Sequence, residues 1–135
     1  MSIAERMIRT TYPEHLGDID RRALAACIQA CVDCVQACTA CADACLSEDA
    51  VADLTKCVGT DLDCADVCDA TARVLSRHTG YDANLTRAVL EACRVACASC
   101  ADECERHAAM HEHCRVCAEA CRGCEEACAR LRDAL

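Results

Sequence analysis

The chain has 135 residues, 54% of them hydrophobic, and a formal net charge of −9. That length supplies one domain with a real core, and that apolar content excludes both a disordered chain and one that folds only around metal. The acidic balance, without any basic strip carrying aromatic residues, gives nucleic-acid binding no support.

The apolar content itself is unusual, with no Phe, no Trp, two Tyr and 18 Cys. A core so poor in rings must be filled with Ala, Val, Leu, Ile and sulfur. Free Cys buries well as a small apolar side chain, so a fold without metal is plausible.

Taken in order, residues 2–11 predict a short helix with Ile3, Met7 and Ile8 on one side. Tyr12-Pro13 ends it, because the residue before proline is pushed out of the helical region. Met7 reads as a packing residue rather than a soft ligand. The first long helix is expected over about residues 19–46, with Asp18 or Asp20 as its N-cap. It carries Cys27, Cys31, Cys34, Cys38, Cys41 and Cys45, stepping by four, three, four, three and four. Residues three and four apart share a helical face, so these thiols form one stripe about 27 Å long. Asp33, Gln36 and Asp43 fall on the opposite face, which makes the helix amphipathic with sulfur where leucine would normally sit.

Ser47-Glu48-Asp49 reads as a turn, with Ser47 or Asp49 capping a second long helix over about 50–78. Its stripe thins to Cys57, Cys64 and Cys68, and the missing step of the rhythm is position 61, an Asp. Asp61 is therefore expected to face the core as a hard oxygen ligand or proton acceptor among thiols. The alternative is a slightly rotated helix with Asp61 in solvent. Thr79-Gly80 is expected to close this helix. Asp82 should cap a third, over about 83–109, bearing Cys93, Cys97, Cys100 and Cys104, with His107 and His111 continuing the row. The fourth, over about 111–133, carries Cys114, Cys117, Cys121, Cys124 and Cys128, with Arg115–Glu119 and Arg122–Glu126 pairs on its outer face.

Four such helices with short connections predict an all-α, antiparallel up-down-up-down four-helix bundle over about 19–133, with a Cys-lined core and a short N-terminal helix. One end of the bundle should gather Cys45, His107, Met110, His111 and His113. His15 and His78 lie off the stripes and read as surface or capping residues. Met110 offers a thioether at the same end.

A tube lined with thiols selects soft metals: Cu(I), Zn or iron–sulfur clusters. Replacing each S–H proton with Cu⁺ leaves the core formally neutral, so filling can continue along the tube at roughly one ion per thiol. A Zn²⁺ held by four thiolates leaves a double negative charge that is costly to repeat in an apolar core. Zinc and iron–sulfur cysteines also lie commonly in turns and loops rather than on continuous helix. No C-x-x-C is followed directly by His, and no Glu-x-x-His pair occurs, which argues against covalent haem and a di-iron bundle. Zinc or mixed soft-metal sequestration and a thiol redox reservoir remain the alternatives. No isolated Cys–His pair stands apart from the stripes to suggest an enzyme.

The four rows of cysteines resemble the copper storage proteins, four-helix bundles whose cysteine-lined interior takes up many Cu(I) ions. The likeness spans about residues 20–131 and rests on the C-x3-C-x2-C repeats on continuous helices. It implies a metal-storing rather than catalytic protein, a homotetramer, and a short N-terminal helix that residues 2–11 could supply. Exported members carry a twin-arginine signal. Residues 1–16 lack an apolar segment, and Arg21-Arg22 is followed at once by the Cys27 stripe, so the cytosolic branch is expected. No run is expected to reach transmembrane length. Copper ions, further copies of the chain and a copper chaperone are the partners this reading implies, with His107, His111 and His113 shaping copper loading in place of the methionines found in exported members.

Overall fold

The computed structural model describes residues 1–135, and every regular element in it is helical. Helix α1 (Ile3–Thr10) starts from a reciprocal cap: Ser2 Oγ accepts from the Glu5 N–H at 3.1 Å, and Glu5 Oε1 accepts from the Ser2 N–H at 3.2 Å. Ala4 and Ile8 turn inward from α1, while Ile3 and Met7 stay exposed. Pro13 does more than end α1. It opens a short helix, α2 (Pro13–Leu16), because a proline in the first turn has no N–H to leave unpaired. Gly17 follows at φ 55°, where the chain turns toward the bundle.

Helix α3 (Arg21–Leu46) begins where Asp20, of the two expected caps, accepts the Ala23 N–H at 3.0 Å. The second long helix is shorter than expected. Residues Val51–Asp53 form a 3₁₀ turn, and α4 runs only from Thr55 to Leu75. Neither Ser47 nor Asp49 caps it; Leu54 stands at its start without a side-chain cap, and its burial anchors the turn instead. At the far end Ser76 Oγ donates to the Ala72 carbonyl at 2.7 Å, and the His78 ring Nε2 lies 2.8 Å from the Leu75 carbonyl. These contacts take up the last carbonyls before Gly80 is reached, so Gly80, at φ 70°, serves the following loop rather than the helix end. His78 is thus a buried capping residue.

Asp82 caps α5 (Ala83–Glu105), with Oδ1 accepting from the N–H groups of Asn84 at 2.9 Å and Leu85 at 3.2 Å. α5 stops four residues short of expectation; residues 106–110 are turns, and His111 is the N-cap of α6 (Glu112–Asp133). On the surface the Arg115–Glu119 pair is present at 2.6 Å. Arg122 does not pair with Glu126. It reaches Glu125 at 3.0 Å and, across to the neighbouring helix, Asp102 at 2.5 Å and Glu105.

α3 packs against α4 and α6, and α5 packs against the same two, giving a square antiparallel bundle. α1 lies across α3. Leu24, Leu75, Leu90 and Leu131, each no more than 2% exposed, come together where α3 begins and α4 ends, and fill that end with hydrocarbon. The opposite end carries the α3–α4 and α5–α6 connections. Contrary to expectation, α3 is by length and mean hydropathy (1.5) apolar enough to cross a membrane. Its cysteine face is nevertheless packed in the bundle, and Asp33, Gln36 and Asp43 stand exposed on the other side.

Candidate metal centre

All eighteen cysteines are free and buried, none more than 1% exposed. The three-four rhythm on each helix turns its thiols to the bundle axis, and antiparallel packing interleaves the four rows. Sulfurs then meet across every helix pair that shares an edge. Cys27 and Cys128 approach to 3.7 Å, Cys34 and Cys64 to 3.7 Å, Cys68 and Cys97 to 3.6 Å, and Cys38 and Cys121 to 3.6 Å. Towards the other end Cys57 and Cys104 lie 3.7 Å apart and Cys41 and Cys114 3.9 Å.

These spacings suit a metal. An ion with bonds of about 2.3 Å to sulfur sets tetrahedral ligands about 3.8 Å apart. Groups of four thiols able to hold an ion follow one another down the tube: Cys31, Cys93, Cys124 and Cys128; then Cys34, Cys68, Cys97 and Cys124; then Cys34, Cys38, Cys64 and Cys121; then Cys38, Cys100, Cys117 and Cys121. A further group, Cys41, Cys45, Cys57 and Cys114, lies nearest the connections. Successive groups share sulfurs, as Cys124, Cys34, Cys38 and Cys121 do. Shared thiolates bridge ions into clusters, and isolated four-thiolate sites cannot all be filled at once. Charge reinforces this, because the burial that keeps protons on the thiols also opposes any filling that leaves net charge behind. Burial, followed by the neighbouring Cys41, pushes the Cys45 thiol up to about 11.

Asp61 occupies the cysteine slot on α4 as its spacing predicts, and it is fully buried. Its Oδ1 accepts thiol hydrogens from Cys100 at 3.1 Å, Cys117 at 3.3 Å and Cys104 at 3.4 Å, while Cys57 reaches Oδ2 at 3.9 Å. Burial above all, then Cys100, pushes this carboxyl up to about 9. The alternative of a solvent-facing Asp61 is excluded.

At the connected end of the tube the histidines gather, but Met110 does not join them; its side chain is 73% exposed in the 106–110 turn. His113 Nδ1 lies 3.4 Å from Cys41 Sγ and 3.6 Å from Cys114 Sγ, so this imidazole touches the thiol rows directly. Burial pulls the His113 ring down, but contacts with Cys41 and Glu48 outweigh it and leave the ring above its ordinary value. His111 stacks on His113, ring centroids 5.4 Å apart. His107 sits one turn away, half-buried, with Nε2 3.2 Å from Glu103 Oε1.

Two carboxylates here escaped sequence reasoning. The sequence places Glu48 only in a turn, yet its Oε1 lies 3.1 Å from His113 Nε2 and 3.5 Å from His111 Nδ1. Glu103, a buried acid on α5, stands within 4 Å of Lys56, Arg106 and His107. Its spacing of four before His107, within the helix the sequence predicts over about 83–109, is the signal that could have found it. His15 is half-buried in α2, away from the thiol rows, and lines a cavity with His78 and Tyr81 at the leucine-filled end.

A sequence model described as copper storage protein matches residues 20–133. Among solved structures, a copper storage protein from Streptomyces lividans loaded with 10 copper equivalents is 69% identical, with a TM-score of 0.95, covering 98% of this chain and 99% of that one. A cytosolic copper storage protein from the same organism, holding five coppers, is 72% identical with a TM-score of 0.86, covering 88% of this chain and 99% of that one. An uncharacterized cysteine-rich protein, YhjQ, from Bacillus subtilis is 36% identical over 93 residues, 69% of this chain and 81% of its own length.

Proposed function

This chain belongs to the copper storage protein family, and on that premise we propose that it stores and buffers many Cu(I) ions in the cytosol, holding them on the thiolates that line its bundle. The observation that carries the reading is the continuous run of fully buried sulfurs 3.6–4.0 Å apart, with successive groups of four sharing members. Each Cu⁺ displaces one thiol proton, so the interior gains metal without gaining charge, and clusters can extend from group to group. The eighteen cysteines supply the ligands. His113 and the neighbouring His107 and His111 pass copper between solvent and Cys41 and Cys114, and Asp61 shapes loading near that open end.

At the other end the buried leucines Leu24, Leu75, Leu90 and Leu131 close off the thiol rows with hydrocarbon, so traffic runs through the histidine end. Nothing in this scheme turns over a substrate; the chain acts as a store rather than an enzyme. The cytosolic assignment is supported by the described location of the Streptomyces relative. Assembly into a homotetramer and exchange with a copper chaperone are parts of the same proposal.

Native mass spectrometry of the reduced protein, offered Cu(I) and Zn(II) together in excess, tests it. Copper-only species that fill well beyond one ion per four thiols support storage. A mixed population capped at four or five metals, rich in zinc, would replace it with zinc sequestration.

A further inference from the structure

Glu48 lies in the α3–α4 connection, 65 residues from His113 in sequence, and no ligand row includes it. One of its oxygens, Oε1, stands 3.1 Å from His113 Nε2 and 3.5 Å from His111 Nδ1. A carboxylate accepts hydrogen bonds and has none to give, so the His113 Nε2 that bonds to it carries the hydrogen. A neutral imidazole has one N–H, and His113 with its hydrogen on Nε2 has a bare Nδ1. That Nδ1 is the atom placed 3.4 Å from Cys41 Sγ and 3.6 Å from Cys114 Sγ. His111 Nδ1 makes only a longer contact with that Glu48 oxygen, at 3.5 Å, and its ring stacks on His113. One carboxylate oxygen thereby fixes which nitrogen of His113 carries the hydrogen.

We infer that Glu48 is a positioning residue for copper uptake, clamping His113 with Nε2–H outward so that the lone pair of Nδ1 is delivered to the first thiols, Cys41 and Cys114. The inference rests on the storage reading for its use of copper, and on geometry alone for the clamp. Groups that hold the far nitrogen of a metal-binding histidine fix both its tautomer and its ring orientation, and their loss commonly costs 10–100-fold in metal affinity or activity. Without Glu48 the ring is free to turn about its side-chain bond and to offer either nitrogen.

The test uses the full-length, reduced protein labelled with ¹⁵N, as wild type, Glu48→Ala and Glu48→Gln. In the metal-free state, long-range ¹H–¹⁵N spectra of the wild type should show His113 with a slowly exchanging hydrogen on Nε2 and a bare Nδ1. Glu48→Gln, whose side-chain carbonyl still accepts, should keep that signature, and Glu48→Ala should lose it. Transfer of the first Cu(I) from a chromophoric chelator should then slow about 10-fold in Glu48→Ala, with the final copper number unchanged and Glu48→Gln close to wild type. A wild-type His113 carrying its hydrogen on Nδ1, or Glu48→Ala loading at the wild-type rate, would overturn the inference. Wild-type thiols that take up no copper would instead overturn the storage reading and with it the role in uptake, while the clamp still stands or falls on the metal-free spectra.

Discussion

Cys100 donates its thiol hydrogen to Asp61 Oδ1 over 3.1 Å, fully buried towards the connected end of the tube. Cys104 and Cys117 converge on the same oxygen, so a carboxyl replaces a sulfur without leaving a buried polar atom unpaired. Its ionisation is opposed mainly by burial, which raises it from 3.8 to about 9.

That shift has a definite sign for the metal-free protein. Below 3.8 both folded and unfolded chains hold the Asp61 proton, and the group adds no pH dependence. Between 3.8 and about 9 the unfolded chain releases it and the folded chain does not, so stability falls as pH rises; above about 9 the trend ends. Chemical denaturation of the reduced, metal-free protein at points between about pH 5 and pH 8 should show that fall, and Asp61→Asn should flatten it. An unchanged slope in Asp61→Asn would contradict the buried, protonated carboxyl.

The leucine-filled end should matter for stability and not for capacity. Leu90→Ala, at a fully buried position, is expected to destabilise the metal-free fold by about 2–5 kcal/mol, the usual cost of such a cavity. The copper number should stay at its wild-type value when measured well below the unfolding midpoint. A capacity that dropped by several ions would mean that this end takes part in holding metal.

The three histidines should govern how fast copper enters more than how much is held. Replacing His107, His111 and His113 with alanine removes three imidazoles but none of the eighteen thiols. Stopped-flow transfer from a Cu(I) chelator should slow, while the final load changes little. Loss of more than about half of the bound copper would make these rings structural ligands of the main clusters.

Much of this architecture was legible because sulfur stood where a bundle normally carries leucine. The three-four spacing of Cys27 to Cys45 marked both the helix and its inward face, and the same rhythm placed Asp61 among the thiols. Helix ends were harder to read. Gly80 suggested a later end for α4 because the His78 ring and Ser76 hydroxyl, which satisfy its last carbonyls, act through side-chain positions that spacing does not reveal. Glu48 was hidden for a similar reason. Its meeting with His113 joins two connections 65 residues apart, and periodicity within a helix carries no information about contacts between loops. Met110, by contrast, had the right chemistry at the right end and still points into solvent, since the 106–110 turn swings it away from the axis.

The storage account stands most directly on a titration of the reduced, metal-free protein with Cu(I) under anaerobic conditions, followed by competition with a chromophoric chelator and by circular dichroism. It predicts a protein that is helical before any metal is added and a breakpoint near one copper for each of the eighteen cysteines. A plateau at four or five ions, with zinc competing on equal terms, or a chain that becomes helical only as metal binds, would contradict it.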